Sequence, residues 1–109
     1  GQVTRGWLGV EQRDLTAEFA DNFGLPVKTG ALITGVLQDG PASKAGMRPG
    51  DVVVRLSGAP VGNTTQLLAA VAALRPNQEA TVTVQRGAES LDLKVVAGTR
   101  PKTVQQRRR

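Results

Sequence analysis

The 109-residue sequence predicts an α+β domain that is mostly β, with five or six short strands and two helices closing its ends. Three observations predict it. Apolar, β-branched runs recur at Ala31–Leu37, Asp51–Leu56 and Ala80–Gln85. Two stretches open on side chains that cap helices, Thr16 and Asn63. Between these elements lie turn residues, as in Asp39-Gly40-Pro41 and Arg48-Pro49-Gly50-Asp51. A chain of this length buries a core without disulfide or metal staples, and it reads as one domain.

Taken in order, Trp7 to Arg13 alternates as a first strand. Thr16 caps a helix running to about Phe23, with Glu18 in the first turn where a negative charge meets the helix dipole. Gly24 ends that helix and Pro26 prevents its resumption. Ala31–Leu37 is apolar enough for a strand buried on both faces. Pro41–Ala45 is a single helical turn stopped by Gly46. Asp51 beside Pro49-Gly50 caps a turn, and Asp51–Leu56 is a strand closed by Ser57-Gly58. Asn63 opens a helix over Thr64–Leu74, with Gln66 three residues on as in a capping box, and Pro76-Asn77 terminates it. Ala80–Gln85 and Ser90–Val96 form a hairpin across Arg86-Gly87-Ala88-Glu89, its second strand alternating Leu91, Leu93 and Val95. Residues after Gly98 read as a solvated tail.

The sequence has no cysteine and no histidine. Disulfides and thiolate chemistry are thereby excluded, together with Ser-His-Asp and Cys-His catalysis and histidine-based metal sites. Ser43 and Ser57 have no base to activate them, and no cofactor is implied. The net charge is +5, yet all nine acidic side chains and nine of the fourteen basic ones lie in residues 1–99. The excess is Arg100, Lys102, Arg107, Arg108 and Arg109, a basic end that implies no nucleic-acid-binding face. No run reaches the length of a membrane span. The N-terminus lacks the basic-then-apolar pattern of a signal peptide, and the abrupt start at Gly1 is expected of a piece of a longer protein.

The most informative residues are Arg5-Gly6-Trp7-Leu8-Gly9-Val10. Two glycines flank large apolar residues at the mouth of a strand. Gly9 can take backbone angles that turn successive N–H groups toward one point, and such a nest of donors suits a carboxylate. The strand after it offers an edge to an extended peptide. On spacing alone, Gly9 is equally a bulge or a close-packing glycine. Trp7 reads as a packing residue supporting the loop, and Arg5 is as readily a solvated arginine as a group that steers a carboxylate.

Gly6-Trp7-Leu8-Gly9-Val10, then Gly40-Pro41-Ala42-x-x-Ala45-Gly46-Met47-x-Pro49-Gly50-Asp51-Val52-Val53, then the helix and the hairpin with Arg86-Gly87, resemble a PDZ domain. The resemblance is closest to the PDZ domains that follow the protease domain in bacterial HtrA/Deg-type serine endopeptidases. It covers about Arg5 to Thr99. It implies residues 1–4 as linker remnant, 5–99 as the PDZ domain and 100–109 as a basic, disordered tail. The apolar-Gly-apolar loop at the N-terminus points to the circularly permuted bacterial type, a partly open β-barrel or sandwich. The short tail is similar to that of the single-PDZ stress-sensor branch.

In that family the loop amides bind a ligand's terminal carboxylate, which carries over here to Leu8, Gly9 and Val10, with Gly6 and Trp7 as support. Strand addition to a sheet edge is a recognised mode of PDZ domains. A peptide would lie beside Val10-Glu11-Gln12, its last side chain in a pocket of Leu8, Val10, Leu68, Val71 and Ala72. Positions 68, 71, 72 and 75 share one helical stripe, and Leu67, Ala70 and Leu74 share a neighbouring stripe assigned to the core. The two assignments are interchangeable on spacing, and in an arbitrary helix the Leu68/Val71 stripe is more often plain core.

The resemblance further implies a non-catalytic module that reads C-termini of unfolded or mislocalised proteins and regulates an attached trypsin-like protease. The partners would be C-terminal peptides and that protease domain, without nucleic acid. The setting would be periplasmic, with a trimeric parent, inner-membrane anchoring and a monomeric isolated module. The alternative host is a tail-specific or intramembrane protease, or a secretion-system component.

Overall fold

A computed structural model describes residues 6–99. The expectations for residues 1–5 and 100–109 lie outside the described residues. The strand expected over Trp7–Arg13 is broken at Leu8-Gly9 into β1 (Gly6–Trp7) and β2 (Val10–Asp14), which belong to different sheets. The remaining elements are α1 (Ala17–Asn22), β3 (Ala31–Val36), α2 (Pro41–Ala45), β4 (Val52–Leu56), β5 (Ala59–Pro60), α3 (Thr64–Ala72), β6 (Glu79–Arg86), β7 (Glu89–Val96) and β8 (Gly98–Thr99). The expected turn at Pro41–Ala45 is α2, which makes three helices.

The main sheet is antiparallel, in the order β2-β3-β4-β6-β7, with β5 paired to β4. It is open, with β2 and β7 as its edges. A bulge between Glu11 and Gln12 shifts the β2–β3 register. The longest ladder is the β6–β7 hairpin, with Arg86 opposite Glu89 across Gly87-Ala88. The reading of everything after Gly98 as tail is corrected by β8: Gly98 pairs with Trp7 and Thr99 with Gly6. A two-residue strand has no periodicity to betray it, and its partner lies at the other end of the chain.

Alternation along the strands divides the core between the two faces of the sheet. One face packs Leu8, Ile33, Val53, Leu56, Leu67, Val82, Val84 and Val95 beneath α3. The other packs Leu32 and Val52 against Leu15, Ala20 and Leu25 around α1. Burial of β3 on both faces therefore holds for Ala31–Ile33 and ends at the exposed Thr34.

Local hydrogen bonds explain the helix starts. The Thr16 hydroxyl accepts from Phe19 N–H at 3.0 Å. The Asn63 side chain accepts from Gln66 N–H at 2.8 Å, and Gln66 Oε1 accepts from Gly62 N–H at 2.6 Å. α3 stops at Ala72, two residues short of the expected Leu74. Asp51 accepts from Arg48 N–H at 2.9 Å, the expected turn cap. It is also 1% exposed and takes two further bonds of 2.8 Å from Arg86 Nε and Nη2. Arg86 Nη2 donates to Gly46 O as well, so the pair ties β6 to the end of α2. The bond to Asp51 holds the guanidinium above its ordinary range.

Candidate functional site

β2 is an edge strand, and its loop is held in a particular way. Leu8 O accepts from Ala42 N–H and Gly9 O from Leu37 N–H, each at 2.9 Å. A trans peptide places its N–H opposite its carbonyl. The Leu8–Gly9 and Gly9–Val10 peptides are thus anchored inward by oxygen, and the N–H groups of Gly9 and Val10 point away from their anchors. No backbone acceptor among the described residues takes the N–H of Leu8 or Gly9. Gly9 sits at φ +77°, and a Cβ there would stand 3.1 Å from the Trp7 ring. The position therefore needs glycine on both backbone and steric grounds.

The same phase continues along the strand. The Leu37-to-Gly9 and Leu15-to-Gly30 bonds make Val10↔Val36 and Asp14↔Ala31 non-hydrogen-bonded pairs. The backbone groups of Val10 and Gln12 therefore face off the sheet, while those of Glu11 face β3. An unpaired row of donors and acceptors runs beside α3.

Between β2 and α3 lies a cavity of about 160 Å³ lined by Trp7, Leu8, Gly9, Val10, Gln12, Leu67, Leu68 and Val71. Seven of the expected site residues meet there. Gly6 lies outside it, packed under the end of α3, where its N–H donates to Leu74 O at 2.7 Å. Ala72 is half-buried and lines neither this cavity nor the next one. Glu11 faces that second cavity, of about 360 Å³, which it shares with Trp7, Gly9, Val10, Gly35, Val36 and Leu37. The second cavity is bounded by β3 and not by α3. The smaller one is favoured for an apolar chain end, because helix and strand enclose it and its side chains are almost all apolar.

Three features escape the sequence reading. Leu67, assigned to the core, is 1% exposed and also floors the cavity, while its neighbour Leu68 is 60% exposed at the rim. Asp14, at the end of β2, accepts from Thr64 N–H at 2.8 Å and so joins the two walls of the groove. That bond holds the Asp14 carboxyl below its ordinary 3.8. Gln12 Oε1 is buried without a partner among the described residues, an acceptor that an occupant of the groove would meet. The sequence reading places Gln12 beside the groove but does not mark its buried acceptor, and no sequence signal marks Asp14.

Among the described residues no helix is long and apolar enough to cross a membrane, and no group of three or more His, Cys, Asp or Glu is placed to hold a metal.

The chain is similar to a probable periplasmic serine endoprotease DegP-like of Ectopseudomonas mendocina (strain ymp). Identity is 42% over 106 residues, covering 97% of this chain and 22% of the relative. The protein of the same name from Rhizobium meliloti (strain 1021) is 42% identical over 101 residues, covering 93% and 20%. The chain thus spans about a fifth of the length of the curated relatives it matches. Among solved structures, the HtrA-type protease AlgW with decapeptide superposes with TM-score 0.84 at 38% identity, over 94% of this chain and 32% of that one. The HtrA3 PDZ domain bound to a phage-derived ligand (FGRWV) superposes with TM-score 0.75 at 23% identity over 88% of both chains, a likeness of fold. The family model for the PDZ domain matches residues 6–96, and with that span, the edge strand and its amide loop, the chain belongs to the PDZ domain family.

Proposed function

We propose that the domain binds the free C-terminus of an extended polypeptide between β2 and α3. One observation carries this reading. Two consecutive peptide groups are anchored through their carbonyls, so their N–H groups are free to receive a carboxylate at the head of an unpaired strand edge. The terminal carboxylate accepts from Leu8, Gly9 and Val10, and the chain behind it continues as a strand along Glu11 and Gln12. Its last side chain enters the apolar cavity at Leu68 and Val71, with Ala72 alongside, while Gly6 and Trp7 brace the loop. Burying one apolar side chain contributes about 1.5–3 kcal/mol, and each hydrogen bond to a charged carboxylate roughly 1.5–3 kcal/mol. Association costs of at least ~4 kcal/mol oppose them, so with three such bonds the surplus is at most about 8 kcal/mol, an affinity no tighter than roughly micromolar.

The longer protein, on the same reading, is an HtrA-type serine protease of the periplasm, trimeric and either anchored at the inner membrane or free. Its PDZ domain reads exposed C-termini of unfolded or mislocalised proteins and shifts the protease between states, while the isolated domain is monomeric. Support comes from the relatives' names and from the AlgW structures with a decapeptide or a tripeptide. Such coupling requires the ligand to favour one protease state over another. The test of the binding step is titration of Trp7 fluorescence with a peptide ending in a free apolar residue and with its amidated twin. The acid should bind at least about tenfold more tightly, since amidation removes a charged acceptor. Equal affinities, or no saturable binding of either, refute the assignment.

A further inference from the structure

We propose that Glu11 and the cavity beside it select a basic residue at the penultimate position of the bound chain end. This rests on the reading that an extended C-terminus pairs with β2. Val10 and Gln12 present their own N–H and C=O groups off the sheet, so each forms a hydrogen-bonded pair with an incoming antiparallel strand. With the carboxylate on the Gly9 and Val10 amides, the ligand's last residue stands opposite Val10 and its penultimate residue opposite Glu11. That second pair is non-hydrogen-bonded, the kind in which facing side chains approach most closely, and both point to the same face of the sheet.

The face in question holds the 360 Å³ cavity, the larger of the two that flank this edge. Its walls on that face are the apolar surfaces of Trp7 and the half-exposed Leu37, with the Glu11 side chain lying over Gly35, and Glu11 supplies its sole charge among the described residues. A carboxylate among apolar walls suits a side chain with an aliphatic stem and a cationic head. Arginine fits best, because its planar fork matches a carboxylate with two parallel bonds. Arg13 follows two residues on, on the same face of β2 and opposite the residue two places earlier in the ligand, so it does not face the penultimate side chain.

The experiment compares three peptides identical except for Arg, Gln or Glu at the penultimate position, each titrated against the unaltered domain, Glu11→Gln, Glu11→Lys and Arg13→Gln. The unaltered domain should bind the Arg peptide about fivefold more tightly than the Gln peptide, with the Glu peptide weakest. Glu11→Gln should bring Arg and Gln within about twofold, Glu11→Lys should reverse the order, and Arg13→Gln should keep it. Raising the salt should narrow the spread. Glu11 is exposed, so thermal melts of the variants should match that of the parent. If all three peptides bind alike while each outcompetes its amidated form, the charge selection is overturned and the groove stands. If the Arg preference persists in Glu11→Gln, Glu11 is not its source. If acid and amide bind alike, the groove reading falls and takes this proposal with it.

Discussion

Gly9→Ala tests the loop most directly. At φ +77° any side chain incurs the left-handed penalty of about 1–2 kcal/mol. The new Cβ would also stand 3.1 and 3.3 Å from two atoms of the Trp7 ring, so ring or loop must give way by a few tenths of an ångström. A movement of the loop turns the Gly9 and Val10 amides from the direction in which the Leu8 and Gly9 carbonyl bonds hold them. Losing one hydrogen bond to a charged carboxylate is worth about 1.5–3 kcal/mol, roughly ten- to 150-fold in affinity. Gly58 provides the control: its φ of +84° carries the same penalty, but a Cβ there meets nothing within 4 Å. Trp7 is the sole tryptophan, so its fluorescence reports both urea unfolding and peptide titration. Both variants should lose similar stability, and only Gly9→Ala should lose affinity. Unchanged binding by a folded Gly9→Ala, or an equal loss in Gly58→Ala, refutes the reasoning.

Arg86→Ala strands the buried Asp51 carboxylate with the Arg48 amide alone, and should cost about 3 kcal/mol, roughly 12–24 °C in Tm by calorimetry; a shift of only a few degrees would show the pair to be unimportant. Leu67→Ala should destabilise by about 2–5 kcal/mol in denaturant titrations, whereas Leu68→Ala should stay within about 0.5 kcal/mol and weaken peptide binding instead. The Asp14 carboxyl is held below 3.8 in the folded state, so its bond to Thr64 stabilises the fold above that pH and is lost as the pH falls through the lowered value. Asp14→Ala should therefore differ from the parent at neutral pH and converge with it in strong acid; a difference that persists in acid would assign the effect to something other than the ionised cap.

The sequence exposes what depends on near neighbours. Thr16 to Phe19 and Asn63 to Gln66 are contacts three residues apart, so the helix starts can be read from spacing. The Gly6–Val10 pattern likewise marks the loop, although alternation alone ran a single strand through the break at Leu8-Gly9. Contacts across the fold leave no such trace. Asp14 meets Thr64 fifty residues away and Asp51 meets Arg86 thirty-five away; the local turn marks Asp51 as a cap, but nothing local marks either long-range partner. Leu67 and Leu68 are adjacent on a helix, about 100° apart, and only the position of β2 decides which one floors the cavity and which stands at its rim.

The pairing of β1 with β8 brings Gly6 beside Thr99 and Trp7 beside Gly98. Segments leading into Gly6 and out of Thr99 consequently depart from one corner, like two cords tied to a single ring. That corner is one residue from Leu8, so the two ends of the described chain meet beside the amide loop.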